Sequence, residues 1–279
     1  VVTSPTMRRK ELGLRLRGYR EAAGKRIEQV AEHLERSTAT ISRVETGRQP
    51  VRVMDVERML AFYGVHGPEI DEVLHLTRTA KDRGWWEDYN DVLGTGPSYV
   101  GLEAAARSVR VFDPFTVPQL LQTADYARAI CTARRMAISP HAVERLVETR
   151  LRRQRRFKEL PVLSFWAVID ESVLHRTVGG REVQRAQLAR LAELAAYPQV
   201  TLQVLPAGIG AHPGLVGGFT VLDFDGGPKQ SIYLENLTGH QLLEKPVEAE
   251  EYVWVFDQLR ARALGPEESV DKIQTAVNG

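Results

Sequence analysis

The chain has 279 residues, 43% of them hydrophobic, and its 37 Lys and Arg against 36 Asp and Glu leave a formal net charge of +1. That composition suits packed cores rather than disorder, and that length suits about two domains. Near-neutrality excludes a uniformly basic coat, the lone Cys131 excludes an internal disulfide framework or a multi-cysteine metal site, and no apolar run is long enough for a membrane-spanning helix.

In chain order, residues 1–6 read as a loose polar arm. The opening VVTSPTMRRKELG lacks the apolar core of a secretory signal, so a cytoplasmic protein is expected. Positive charge crowds this end, at Arg8, Arg9, Lys10, Arg15, Arg17, Arg20, Lys25 and Arg26, and only a subset is expected to meet phosphates. A first helix over 8–23 puts Leu12, Leu16 and Tyr19 on one face and stops at Gly24. Residues 27–47, IEQVAEHLERSTATISRVETG, then read as a short helix, a tight turn and a second helix. Val30, Ala31 and Leu34 form the apolar stripe of the first, Ser37 is an N-cap for the second, and Ile41 and Val44 give the second its buried side. Thr38, Ala39, Thr40, Ser42 and Arg43 are left facing outward. Small polar groups and one Arg on the first turns of a helix suit entry into the major groove, and the amide end favours a phosphate. A turn at Pro50, a helix over 53–63 ended by Gly64, and another from Pro68 towards Arg83 complete a five-helix domain closing near residue 80.

Trp85 and Trp86 are costly to expose together, so at least one is expected to pack between domains or on a partner. Residues 99–110 read as helical, 112–118 as an extended segment with two prolines, and 119–133 as a helix in which Cys131 is a buried inert thiol or, alternatively, a redox sensor. A basic helix over 141–158 carries Arg150, Arg152, Arg153, Arg155 and Arg156. Its apolar Leu146, Leu151 and Phe157, and Glu144, Glu148 and Glu159 a turn from arginines, favour a solvated, salt-bridged helix over a nucleic-acid contact. Anion or acidic-partner binding is the alternative. After Pro161 strands are expected at 162–170 and 200–206, with a helix over 181–196 between them, the order of a right-handed crossover. Strands at 218–224 and 230–236 flank Asp225-Gly-Gly-Pro228, a hairpin signal. A last helix spans 246–264, followed by a short helix or tail over 267–277.

The expected chain is α+β: an all-α five-helix DNA-binding domain over 1–80, a helical linker or dimerisation region over 81–160, and a mixed-sheet α/β partner- or ligand-binding domain over 161–279. His175, His212 and His240 have no metal spacing, and the Gly-rich 208–214 lacks the ending of a phosphate loop. Asp170 and Glu171 end a strand, a place used by active-site acids and by solvated loop residues alike. No enzyme, cofactor or metal is expected. The partner or ligand region is assigned to Trp85, Trp86, Asp170 and His212.

Residues 8–65 resemble the lambda-repressor-like, Cro/C1-type (XRE) helix-turn-helix family through EQVA at 28–31, SxxxISRVETG at 37–47 and the preceding LGLRLRGYREAAG. The resemblance implies that Thr38, Ala39 and Arg43 read bases, that Thr40, Ser42, Arg48 and Arg52 touch phosphates, and that Arg20 pairs with Glu45 to orient the recognition helix. Ile27 stands where many relatives place a polar phosphate contact, and Lys25 or Arg26 is the substitute. RGWWEDYNDVL, SYVGLEAAARSVRVFDPFTVPQLLQTADYARAI and VLSFWAVIDESVLHR resemble a large actinobacterial regulator family. Its members join this motif to an antitoxin-like C-terminal domain formerly of unknown function. Gln119 replaces a common glycine there, and Lys25-Arg26 replaces an apolar-Thr pair. The resemblance implies a transcriptional regulator acting on a double-stranded DNA operator, with a C-terminal domain that senses a small protein partner or ligand. The alternatives are an antitoxin-like protein that neutralises a small partner and autoregulates its operon, and an enzyme fused to a helix-turn-helix. A homodimer is expected, since it presents two recognition helices to half-sites about one helical turn apart.

Overall fold

Ser4 and Pro5 start the first helix earlier than the sequence suggests. Pro5 needs no amide partner at the first helical position, and the Ser4 hydroxyl accepts from the Met7 amide at 3.3 Å. Ser4 and Thr6, read as part of a loose arm, are buried, because the Ser4 hydroxyl also donates to the Gly101 carbonyl at 2.6 Å. The computed structural model describes residues 4–93, 99–134, 138–159, 163–225, 230–236 and 239–278. The chain forms an α+β protein of two compact units, 1–105 and 106–279, so that the region 81–160 is shared between them. Among the described residues no helix is long and apolar enough to cross a membrane.

In the first unit, α1 (Pro5–Ala22), α2 (Ile27–Leu34), α3 (Thr38–Glu45), α4 (Val53–Tyr63) and α5 (Glu69–Thr79) enclose one core that includes Leu16, Val30, Leu34, Ile41, Met59 and Leu60. A 3-10 turn over Trp85–Tyr89, α6 (Asn90–Leu93) and α7 (Tyr99–Glu103) follow. The turn between α2 and α3 is tight because Glu35 takes a left-handed conformation at φ 55°. The Arg36 amide then reaches the Ala31 carbonyl at 2.9 Å, and the Glu35 amide reaches that of Glu32 at 3.1 Å. This is the paired closure that satisfies a helix end. A side chain in that conformation costs roughly 1–2 kcal/mol, a cost that the core behind the turn offsets. Two glycines let α1 and α3 touch backbone to backbone. A Cβ at Gly13 would lie 2.5 Å from the Glu45 carbonyl oxygen, and one at Gly47 would lie 2.7 Å from the Lys10 Cα.

The second unit is built on a mixed sheet. Its elements are β1 (Ser108–Asp113), α8 (Ala124–Arg134), α9 (Pro140–Arg153), β2 (Ser164–Asp170), α10 (Ser172–His175), α11 (Arg181–Ala195), β3 (Val200–Leu205), β4 (Phe219–Asp223), β5 (Gln230–Asn236), β6 (Gly239–Leu243), α12 (Pro246–Arg262) and α13 (Pro266–Asn278). Among the described residues the sheet has six strands in the order β3-β2-β1-β4-β5-β6. β1, β2 and β3 are parallel, with Val111 opposite Ala167 and Ala167 opposite Leu202. β4, β5 and β6 continue antiparallel. The short α10 and the longer α11 lie between β2 and β3, and α11 supplies the crossover that parallel neighbours require. Phe256 and Leu259 of α12 close a core with Phe112, Val168, Val221 and Ile232. α13 packs on β3 and α11 at one side of the sheet, and β6 forms the opposite edge.

The structure corrects three readings here. Residues 99–110 are not one helix, for α7 ends at Glu103 and Ser108–Asp113 is a central strand held between β2 and β4. β6 was not anticipated. The hairpin partners β4 and β5 do pair, with Val221 opposite Ile232, while turn residues 226–229 lie outside the described residues. The arginine-rich helix α9 is not solvated along all of its basic face. Arg150 and Arg153 are only 6% and 5% exposed. Arg150 donates to the Gln122 side-chain carbonyl, and Arg153 Nη1 donates to Gln119 Oε1 at 2.8 Å. Glu144 pairs across to Arg128 of α8 at 2.6 Å instead of along its own helix. These arginines brace the 119–122 segment, where a buried charge must find fixed acceptors to offset its lost hydration.

Candidate nucleic-acid interface

The second helix of the helix-turn-helix, α3, carries a polar outward face. Ser37 is its N-cap, accepting from the Thr40 amide at 3.1 Å. Ile41 and Val44 are buried, whereas Thr38, Ala39, Ser42 and Arg43 are exposed and Thr40 is half-exposed. The outward face carries a chain of hydrogen bonds. Ser37 Oγ lies 2.9 Å from Thr40 Oγ1, Arg43 Nη2 donates to Thr40 Oγ1 at 3.3 Å, and Arg43 Nε donates to Gln49 Oε1 at 2.9 Å. Gln49 was missed in the sequence because its contact depends on the chain doubling back after Gly47, whose φ is 68°.

One ion pair fixes the pose of α3. Arg20 of α1 meets Glu45 in a two-pronged contact, Nε to Oε1 at 2.7 Å and Nη2 to Oε2 at 3.0 Å. Its remaining nitrogen donates to the Lys25 carbonyl at 3.0 Å. The side chains are 13% and 5% exposed, and the hydrogen bond to Glu45 raises the Arg20 guanidinium above its ordinary pKa. Planar, paired bonds of this kind add directional constraint as well as energy. Burial pushes the nearby Tyr63 phenol up, with the Glu45 charge adding to the effect.

The charge distribution on this unit is sorted by pairing. Many N-terminal cations are neutralised by carboxylates of the same unit: Arg8 with Asp82 at 2.9 Å, Arg9 with Glu87, Arg15 with Glu11 at 2.9 Å, and Arg17 with Glu21 at 2.7 Å. Lys25 lies over the Phe62 ring at 4.7 Å. Arg26, Arg48 and Arg52 are exposed, and no carboxylate partner occurs for them among the described residues. Two clefts flank α3. One is lined by Arg17, Arg26, Ser42 and Thr46, the other by Arg36, Thr40, Gln49 and Arg52. Ile27 is half-buried against the core, and Arg26, beside it at the start of α2, lines one of these clefts.

Trp85, Trp86, Asp170 and His212, expected to form a partner or ligand region, each make contacts within the chain. Trp86 is 5% exposed and packs so closely on Gly84 and Gly101 that a Cβ on either would meet its ring at 2.1 and 3.0 Å. It belongs to the core of the first unit, with Trp85 edge-on to it at 6.0 Å. Asp170 accepts from the Ser172 amide at 2.9 Å and so starts α10. Its neighbour Glu171 is held by Lys272 at 2.7 Å and by the Ala207 amide at 2.9 Å, and the Lys272 bond keeps its carboxyl below the ordinary carboxylate range. His212 lies edge-on to Phe112 at 6.1 Å, and its buried Nδ1 has no hydrogen-bond partner among the described residues.

Residues 97–275 match the model of a Domain of unknown function (DUF5753), and residues 11–73 match that of a helix-turn-helix domain. No curated protein matches the chain, and no solved structure does.

Proposed function

Given that the chain belongs to the DUF5753 family and carries a helix-turn-helix domain ahead of it, we propose that it is a transcriptional regulator that reads duplex DNA by sequence. The observation that carries this reading is the outward face of α3, with Arg43 on its ridge and the uncompensated Arg26, Arg48 and Arg52 beside it. A helix with side chains is about 10–12 Å across and fills a major groove about 12 Å wide. Thr38, Ala39 and Arg43 face base edges in that pose. Arg26, Ser42, Arg48 and Arg52 face the phosphates on the two sides of the groove, and Lys25 stays on Phe62. A homodimer places two such helices on the half-sites of an operator.

Selection of duplexes from a randomised pool, followed by binding to single-base variants of the selected site, tests the reading. Arg43→Ala is expected to lose about 1–3 kcal/mol of discrimination at one base pair. Arg52→Ala is expected to weaken all duplexes alike and to lower the salt slope by about 1. A wild-type chain that enriches no sequence overturns the proposal.

The second unit gives grounds for a second reading, an antitoxin-like protein that holds a small partner. Phe115, Leu215 and Val216 are 58%, 67% and 91% exposed. They lie on adjoining loops, since a Cβ at Gly218 would approach Pro114 Cδ at 3.2 Å. Clustered apolar exposure of this kind marks contact surfaces. Co-expression with the product of an adjacent small gene is expected to give a complex that survives gel filtration and is lost on Val216→Asp. No complex with the intact chain would sink this reading.

A further inference from the structure

We propose that Gln49, a residue outside the recognition helix, sets base specificity by holding the Arg43 guanidinium in one orientation. The inference rests on the DNA-reading assignment of α3. An exposed arginine on a helix has many rotamers, and ordering it on contact with DNA costs binding energy. Here the ordering is done before DNA arrives. Gln49 Oε1 accepts from Arg43 Nε at 2.9 Å, and Thr40 Oγ1 accepts from Nη2 at 3.3 Å. The backbone reinforces the link, for the Gln49 amide donates to the Arg43 carbonyl at 3.2 Å. The Thr40 hydroxyl is itself held by Ser37 Oγ at 2.9 Å, so the acceptor on the helix side is also fixed.

The donor inventory shows what remains for DNA. A guanidinium has five N–H groups, and this pair of contacts uses the one on Nε and one on Nη2. Nη1 keeps both protons and Nη2 keeps one. That set suffices for a two-pronged contact with the O6 and N7 acceptors of guanine, which no other base edge offers in the major groove. Gln49 is therefore a positioning residue, and Arg43 is the group that touches the base. The ligand class is a duplex with a G·C pair under Arg43.

The test uses the full chain, the site selected by the wild type, and its single-base variants at the Arg43 position. Gln49→Ala is expected to reduce discrimination at that base pair by about three- to tenfold while binding to unrelated duplex stays unchanged. Gln49→Glu, which keeps an acceptor for Nε, is expected to retain the discrimination ratio while lowering affinity for every duplex through its added charge. In an Arg43→Ala background, Gln49→Ala is expected to change nothing further. Equal weakening of all duplexes by Gln49→Ala, no change in the ratio, or an undiminished effect in the Arg43→Ala background each overturns the inference while leaving the DNA-binding reading intact. A wild-type chain that selects no site overturns both.

Discussion

Glu45→Ala is expected to destabilise the N-terminal unit by about 3–5 kcal/mol, the range for leaving one member of a buried ion pair without its partner. Arg20 is 13% exposed and cannot shed its charge. Without Glu45 it keeps the Lys25 carbonyl at 3.0 Å and a longer contact to Glu21 at 3.5 Å. The loss is a large fraction of the stability of a typical domain. Replacing both residues, Arg20→Met with Glu45→Met, is expected to restore most of the stability, since an apolar pair needs no partner. It is also expected to weaken site-specific binding, because the directional contact that ties the end of α3 to α1 is then lost. Native-state hydrogen exchange on the amides of α1 and α3 measures the stability term directly. A change below about 1 kcal/mol for Glu45→Ala would show that solvent screens the pair.

Gly13→Ala is expected to destabilise the same unit by about 1–3 kcal/mol, although alanine is the better helix former by about 1 kcal/mol. The added methyl meets backbone, the Glu45 and Val44 carbonyl oxygens at 2.5 and 2.6 Å, which can yield only if α3 moves. Gly18, in the same helix, has nothing within 4 Å of its would-be Cβ. Gly18→Ala is therefore expected to stabilise by up to about 1 kcal/mol. Chemical denaturation of the two variants should move in opposite directions. If both gain, the close approach of α1 to α3 is not a constraint in solution.

The parts of the fold that were legible in the sequence are those fixed by neighbours a few residues away. Val30, Ala31 and Leu34 mark α2 by period, Ser37 starts α3 with its own hydroxyl, and Gly64 closes α4 at φ 72°. Distant partners hid the rest. Ser108–Asp113 sits in an alanine-rich helical context and becomes a strand by pairing with β2, over fifty residues on. GHQLL has no β-branched residue and is a strand only because β5 lies beside it. Arg150 and Arg153 looked solvated because their acceptors, Gln122 and Gln119, are about thirty residues upstream. In the candidate site, the outward face of α3 followed from helical period. Which cations are free did not, since Arg8 and Arg9 are matched by Asp82 and Glu87 from beyond α5.

The edge formed by β6 has a consequence for how the chain behaves when crowded. An open strand is a template on which another chain can add its own, the route by which sheets grow into aggregates. β6 is five residues long and is followed at once by Glu244, Lys245 and Pro246, where α12 begins. A recruited strand finds few backbone groups, then two charges, then a residue with no amide to offer. The short strand and its abrupt end are the features of a gatekept sheet edge.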